Sequence, residues 1–147
     1  MNINNISPNI WGSAGWNFLH YITFTYPNDP TEEEKETYLN FFKYVGLVLP
    51  CNNCRTNYKK HQEKYPLNDI ILSNKENLVK WLINIHNEVN IMNGKKVLSY
   101  DEVINNYFGN NKNNNKKSYK LNKKSMVLLF IFIVIIILCL VLKTYSK

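Results

Sequence analysis

Glycine and proline are scarce, five of each in 147 residues, which leaves few helix breakers and favours a helical chain. Period-two alternation is not sustained anywhere, so strands have no support. Arginine is nearly absent, Arg55 being the sole one, and no nucleic-acid motif accompanies the net charge of +7. The polar residues 1–9 lack the hydrophobic stretch of a signal peptide. Cysteine is limited to Cys51, Cys54 and Cys139. With no second C-x-x-C, and with His20, His61 and His86 scattered, a four-ligand zinc site is not expected.

What is present begins with Cys51-Asn52-Asn53-Cys54, directly after Pro50. A disulfide closing so short a loop removes little chain entropy, which argues against a purely structural bridge. The remaining readings are a reducible pair, suited to dithiol–disulfide exchange, and two inert thiols. At a helix start, the dipole and free N–H groups stabilise a thiolate.

Residues 126–142 carry no charge, glycine or proline, and no helical phase offers a polar face. They predict a membrane-spanning helix over 125–143, a C-terminal anchor followed by a short tail at 144–147. Six lysines between Lys112 and Lys124 precede it, against Lys143 and Lys147 after it. That asymmetry puts the preceding domain on the cytosolic side. It also explains the net charge as a juxtamembrane feature, so no nucleic-acid partner is expected. Residues 110–124, rich in Asn and Lys, read as a linker that cannot bury a core.

Residues 1–109 read as one all-α domain, a four-helix bundle with a short fifth helix. Ser7-Pro8 offers an N-cap and a proline at the first helical position, and apolar spacing runs on to Tyr26-Pro27. Thr31 to Glu34, Ser73 to Glu76 and Ser99 to Glu102 have capping-box spacing and open the second, fourth and fifth helices. The third starts at the cysteine pair and ends near Pro66, and the fourth runs to Gly94. Thioredoxin-like C-x-x-C proteins need strands, so a different scaffold must carry this pair.

Gly12, Trp16 and His20 recur every four residues and share one helical face, beside Trp11. Trp81 precedes His86-Asn87-Glu88-Val89-Asn90, and Gly94-Lys95 follows. Taken singly, each is an ordinary core or surface residue. Together, a small residue, a flat indole, two imidazoles and an asparagine pair suit a planar polar ring beside a disulfide.

In these residues, with Leu19, Tyr26-Pro27 and Pro50, the chain resembles the Erv/ALR sulfhydryl oxidases over roughly residues 8–108. The resemblance implies an FAD-dependent thiol oxidase built as a homodimer. Its flavin pocket would be lined by Trp11, Gly12, Trp16, His20, Trp81, His86, Asn87, Val89 and Asn90, with Lys95 near the phosphates. Tyr107 falls where relatives carry a tryptophan and would stack in the same pocket. Cys51 is implied as the sulfur that substrate attacks, and Cys54 as the one nearer the flavin, with electrons passing to O₂ to give H₂O₂. Pro8 and Ser13 replace basic residues found in some relatives, and there is no shuttle C-x-x-C. Dithiol proteins, either directly or through a thioredoxin-like carrier, are the implied partners. The resemblance, taken with the Asn-rich composition, implies a large DNA virus as the source. A membrane-anchored, non-enzymatic adaptor with a redox-switch C-x-x-C is the alternative.

Overall fold

The computed structural model describes residues 5–109, 130–131 and 142–143. The chain divides into two compact units, Met1–Tyr107 and Phe108–Lys147. Among the described residues there are five α-helices and no strand: α1 Pro8–Phe24, α2 Glu32–Val48, α3 Asn52–Lys64, α4 Lys75–Met92 and α5 Tyr100–Ile104. A 3₁₀ turn at Ile71–Ser73 leads into α4, and a π turn at Asn105–Gly109 follows α5.

Local chemistry sets most helix ends. The Ser7 hydroxyl accepts from the Asn9 N–H, and Pro8 occupies the first turn of α1. Thr31 and Glu34 form a reciprocal capping box on α2, and Ser99 and Glu102 do so on α5. For α4 the cap is Asn74, whose side chain accepts from the Asn77 N–H, and not Ser73. The Ser73 hydroxyl is already donated to the Ile70 carbonyl at 2.8 Å, closing the 3₁₀ turn. Gly94 ends the turn after α4 with a φ of 64°, where a side chain would be strained, and the Lys95 N–H returns to the Asn90 carbonyl at 2.8 Å.

Helix α4 is the central element, packing on α1, α3, α5 and the 3₁₀ turn. Its Leu78, Trp81, Leu82 and Ile85 enter the main core with Leu19, Tyr26, Phe42, Tyr58 and Leu72. Val79 and Ile83, one position round the helix, form a second cluster with Val103 of α5. Helix α4 is therefore apolar on two faces and receives both the bundle and the fifth helix. Between α2 and α3 the backbones approach closely at Gly46, where a Cβ would lie 2.3 Å from the Tyr58 ring. The Tyr58 hydroxyl donates to the Phe42 carbonyl at 3.0 Å and satisfies its buried polar end.

In the second unit Phe130, Ile131, Leu142 and Lys143 are helical, and Phe130 and Leu142 are well exposed. The rest of the expected membrane span lies outside the described residues. Among those described, no helix is long and apolar enough to cross a membrane.

Candidate functional site

Cys51 is the N-cap of α3 and Cys54 lies in its first turn. The two are joined as a disulfide with a Cα–Cα distance of 5.1 Å. The Cys51 backbone is extended, and its Sγ accepts from the Cys54 N–H at 3.2 Å. The first turn of α3 has no acidic residue. A thiolate formed there on reduction meets the positive end of the helix dipole and an N–H donor, with no carboxylate beside it.

Cys51 is only 5 % exposed, and Cys54 is the more open of the two. Residues 5–7 flank Cys51. The Ile6 N–H donates to the Pro50 carbonyl at 2.7 Å, the Asn52 N–H donates to the Asn5 side chain at 3.1 Å, and the Trp11 indole donates to the Ile6 carbonyl at 3.2 Å.

The disulfide lines a cavity of about 580 Å³. Helix α1 contributes Trp11, Gly12, Gly15, Trp16 and Leu19, α3 adds Tyr58, and α4 adds Val89 and Met92. That volume falls within the range of small-molecule sites. A Cβ on Gly12 would meet nothing nearer than Pro8 at 3.9 Å, so glycine keeps that wall low. Gly15 admits the Trp11 ring, which would lie 3.1 Å from a Cβ there.

Trp16 stacks on His86 with ring centroids 3.9 Å apart and planes within 5°. On the far side of this pair is a second cavity, about 240 Å³, lined by His20, His86, Leu98, Val103 and Tyr107 among others. His20 Nε2 and His86 Nδ1 are 3.0 Å apart and share one proton between them. Burial, then the His86 charge, lowers the His20 pKa to about 3; burial, then the Lys95 charge, lowers that of His86 to about 4. Both rings are neutral at neutral pH, which suits orientation of a ligand and not proton uptake. Nδ1 of His20 is buried without a partner, an unmet hydrogen-bonding group on the α1–α4 seam. Tyr107 packs on His20 with centroids 5.1 Å apart, and its hydroxyl donates to the Asn17 side chain at 2.9 Å. Burial, then Tyr21, pushes its pKa up to about 12.

The expected site residues thus fall into three groups. Trp11, Gly12, Trp16, Val89, Cys51 and Cys54 share the large cavity, and His20, His86 and Tyr107 share the small one. Asn87 and Asn90 line neither. Asn87 accepts from the Leu98 N–H at 3.0 Å and donates to the Leu98 carbonyl at 2.9 Å, clamping the α4–α5 loop, and Asn90 donates to Asn87 at 3.4 Å. Lys95, on that loop, is exposed and close enough for its charge to act on His86. Trp81 stands apart. It is 2 % exposed in the main core, packs edge-on against Phe42, and donates to the Tyr65 carbonyl at 2.8 Å. Gly15 and Tyr58 also line the large cavity, outside the motifs read from the sequence. The available signal for Tyr58 was its place four residues after Cys54, on the same face of α3.

A family model described as the Erv1 / Alr family matches residues 13–109. A protein of Acanthamoeba polyphaga mimivirus, named as a probable FAD-linked sulfhydryl oxidase, is 54 % identical over 99 residues, covering 67 % of this chain and 69 % of its own. An African swine fever virus protein named FAD-linked sulfhydryl oxidase is 33 % identical over 97 residues, covering 66 % of this chain and 79 % of its own. Among solved structures, the yeast Erv1 core superposes with a TM-score of 0.63 at 22 % identity, covering 74 % of this chain and 89 % of that one, a likeness of fold.

Proposed function

The chain belongs to the Erv1 / Alr family, and on that premise we propose that it is an FAD-linked sulfhydryl oxidase that makes disulfides in protein substrates through Cys51 and Cys54. One observation carries the reading: the C-x-x-C disulfide opens onto a ligand-sized, aromatic-walled cavity beside a neutral histidine pair with an unmet nitrogen. An inert cysteine pair or a non-enzymatic adaptor leaves that cavity without a purpose.

The residues fit the cofactor. Trp11, Gly12, Trp16 and Val89 would hold it next to the disulfide, and His20, His86 and Tyr107 would hold its remoter part, with the unpartnered His20 nitrogen available to bond it. Lys95 supplies positive charge near His86 for an anionic group. When bound, FAD supplies the two-electron acceptor that re-forms the disulfide and hands the electrons to O₂, giving H₂O₂.

The chain's own part is thiol exchange. A substrate thiolate attacks one sulfur of the pair, at Cys51 in this reading. The S–S bond breaks, and Cys54 leaves as a thiolate stabilised by the α3 N-terminus. A second substrate thiolate attacks the mixed disulfide and frees Cys51. Two substrate thiols have then lost two protons and two electrons, and the electrons rest on Cys51 and Cys54. Residues 5–7 must shift to admit a protein thiol, since Cys51 is nearly covered.

Three further features belong to the same proposal. Ile10, Phe18 and Tyr21 leave an apolar stripe exposed on α1, which supports a homodimer. The uncharged run 126–142 and the lysines before it support a membrane anchor with the catalytic unit facing the cytosol. The identity with the mimivirus protein supports a viral source, where a cytosolic oxidase supplies disulfides that the host compartment does not maintain. The test is oxygen consumption by the purified, FAD-loaded protein with dithiothreitol. Turnover that stops in Cys54→Ser and in Cys51→Ser is expected, and turnover that survives either change would sink the mechanism.

A further inference from the structure

Tyr58, which lines the disulfide cavity, also lines a groove of about 380 Å³ between α2 and α3. Lys43 and Leu47 form one wall, Arg55 and Lys59 the other, and Gly46 and Tyr58 form the floor. Leu47 is 65 % exposed and neighbouring Val48 is 74 % exposed, so the apolar surface beside the cations is open.

The charge here is one-sided. From Thr37 to Gln62 the chain contains no Asp or Glu, but it holds Lys43, Arg55, Lys59 and Lys60. Elsewhere Lys35, Lys64, Lys80 and Lys96 each pair with a glutamate. Among the described residues, none of the three cations that line the groove, Lys43, Arg55 and Lys59, has a carboxylate partner. Leaving so many like charges unpaired in one place costs self-repulsion, which an anionic ligand relieves.

The groove also abuts the reactive bond. Arg55 follows Cys54 directly, and its guanidinium donates to the Leu49 carbonyl and to the Asn52 side chain, the residues that bracket Pro50-Cys51. Arg55 thus ties the groove wall to the backbone on either side of Pro50-Cys51.

We propose that this groove is the docking site for the protein substrate, and that it selects a dithiol segment whose cysteines are flanked by acidic and apolar residues. The proposal rests on the oxidase reading and names its substrate class. Carboxylates meet Lys43, Arg55 and Lys59, an apolar side chain covers Leu47, and the adjoining cysteine reaches the Cys51–Cys54 bond. The same positive field stabilises the attacking substrate thiolate.

The experiment compares three dithiol peptides of one length, with acidic, neutral or basic flanks, as substrates of the full-length, FAD-loaded protein. At low salt the acidic peptide is expected to exceed the basic one about tenfold in kcat/KM, at the lower end of electrostatic steering, with the preference collapsing in high salt. Lys43→Glu/Lys59→Glu is expected to abolish or invert the ratio. Anisotropy of a labelled acidic peptide with serine for cysteine reads docking without turnover, so an enzyme inactive even on dithiothreitol would overturn the oxidase reading while docking is still scored. Equal kcat/KM for the three peptides, or a ratio unchanged in the double variant, overturns the proposal. So does acidic-peptide binding no tighter than basic.

Discussion

Gly46→Ala is a single methyl group, and its sign separates two accounts of this position. If Gly46 were an ordinary helical site, alanine would stabilise α2 by about 1 kcal/mol through helix propensity. In the structure the new Cβ would lie 2.3 Å and 2.6 Å from two atoms of the Tyr58 ring, where ordinary contact begins at 3.4 Å. The ring must retreat by roughly 1 Å, an overpacking that costs about 1–3 kcal/mol. Tyr58 cannot simply swing aside, because its hydroxyl donates to the Phe42 carbonyl, and losing that bond adds about 1 kcal/mol. Against the propensity gain, the net is a destabilisation of about 1–3 kcal/mol. Urea unfolding should show a lower midpoint at unchanged slope, and the melting temperature should fall by about 5 °C or more. In a Tyr58→Leu background the same substitution should be much less harmful, a coupling that a double-mutant cycle measures. Because Tyr58 also lines the disulfide cavity, Gly46→Ala should weaken FAD retention as well. A Gly46→Ala protein as stable as its parent, or more so, would refute the close approach of α2 and α3.

Acid should destabilise the cofactor-free protein well before its carboxylates titrate. The folded pKa of His20 is near 3 against 6.5 unfolded, so stability present above pH 6.5 is lost as pH falls, about 2 kcal/mol from His20 alone by pH 5. Burial lowers His86 and His61 too, so both losses carry the same sign. Chemical denaturation at pH 7 and pH 5 checks this, and a flat profile speaks against the buried neutral pair. Trp81→Phe should cost about 1–2 kcal/mol through the lost bond to the Tyr65 carbonyl, yet leave FAD affinity within about twofold, as unfolding and flavin titration would report. A chain ending at Gly109 should keep turnover of dithiothreitol and leave the membrane fraction; retention on membranes would oppose the anchor at residues 125–143.

Features that depend on neighbouring residues were legible in the sequence. Ser7-Pro8, Thr31 with Glu34, and Ser99 with Glu102 cap their helices as their spacing dictates, because a cap is closed within one turn. The slip from Ser73 to Asn74 arises because both can cap, and a 3₁₀ turn absent from the apolar periodicity had already engaged the serine. What depends on packing across the chain was not legible. The clamp of the Asn87 amide on Leu98, eleven positions on, has no signal in the sequence. Nor does the bond from the Trp81 indole to the Tyr65 carbonyl, sixteen positions back. The four-residue spacing from Gly12 through Trp16 to His20 did mark one face of α1, yet the Trp16–His86 stack divides that face between two cavities.

The central claim is that Cys51 and Cys54 exchange electrons with a flavin held in the cavity they border. Its most direct test is the visible absorption spectrum of the purified full-length protein, recorded without oxygen before and after addition of dithiothreitol. The account predicts a yellow protein whose flavin band bleaches with the dithiol and returns on exposure to air, and a Cys54→Ser protein that is equally yellow but does not bleach on that timescale. A stably folded, colourless protein that takes up no added FAD, or a flavin that bleaches as fast without Cys54 as with it, would contradict the account.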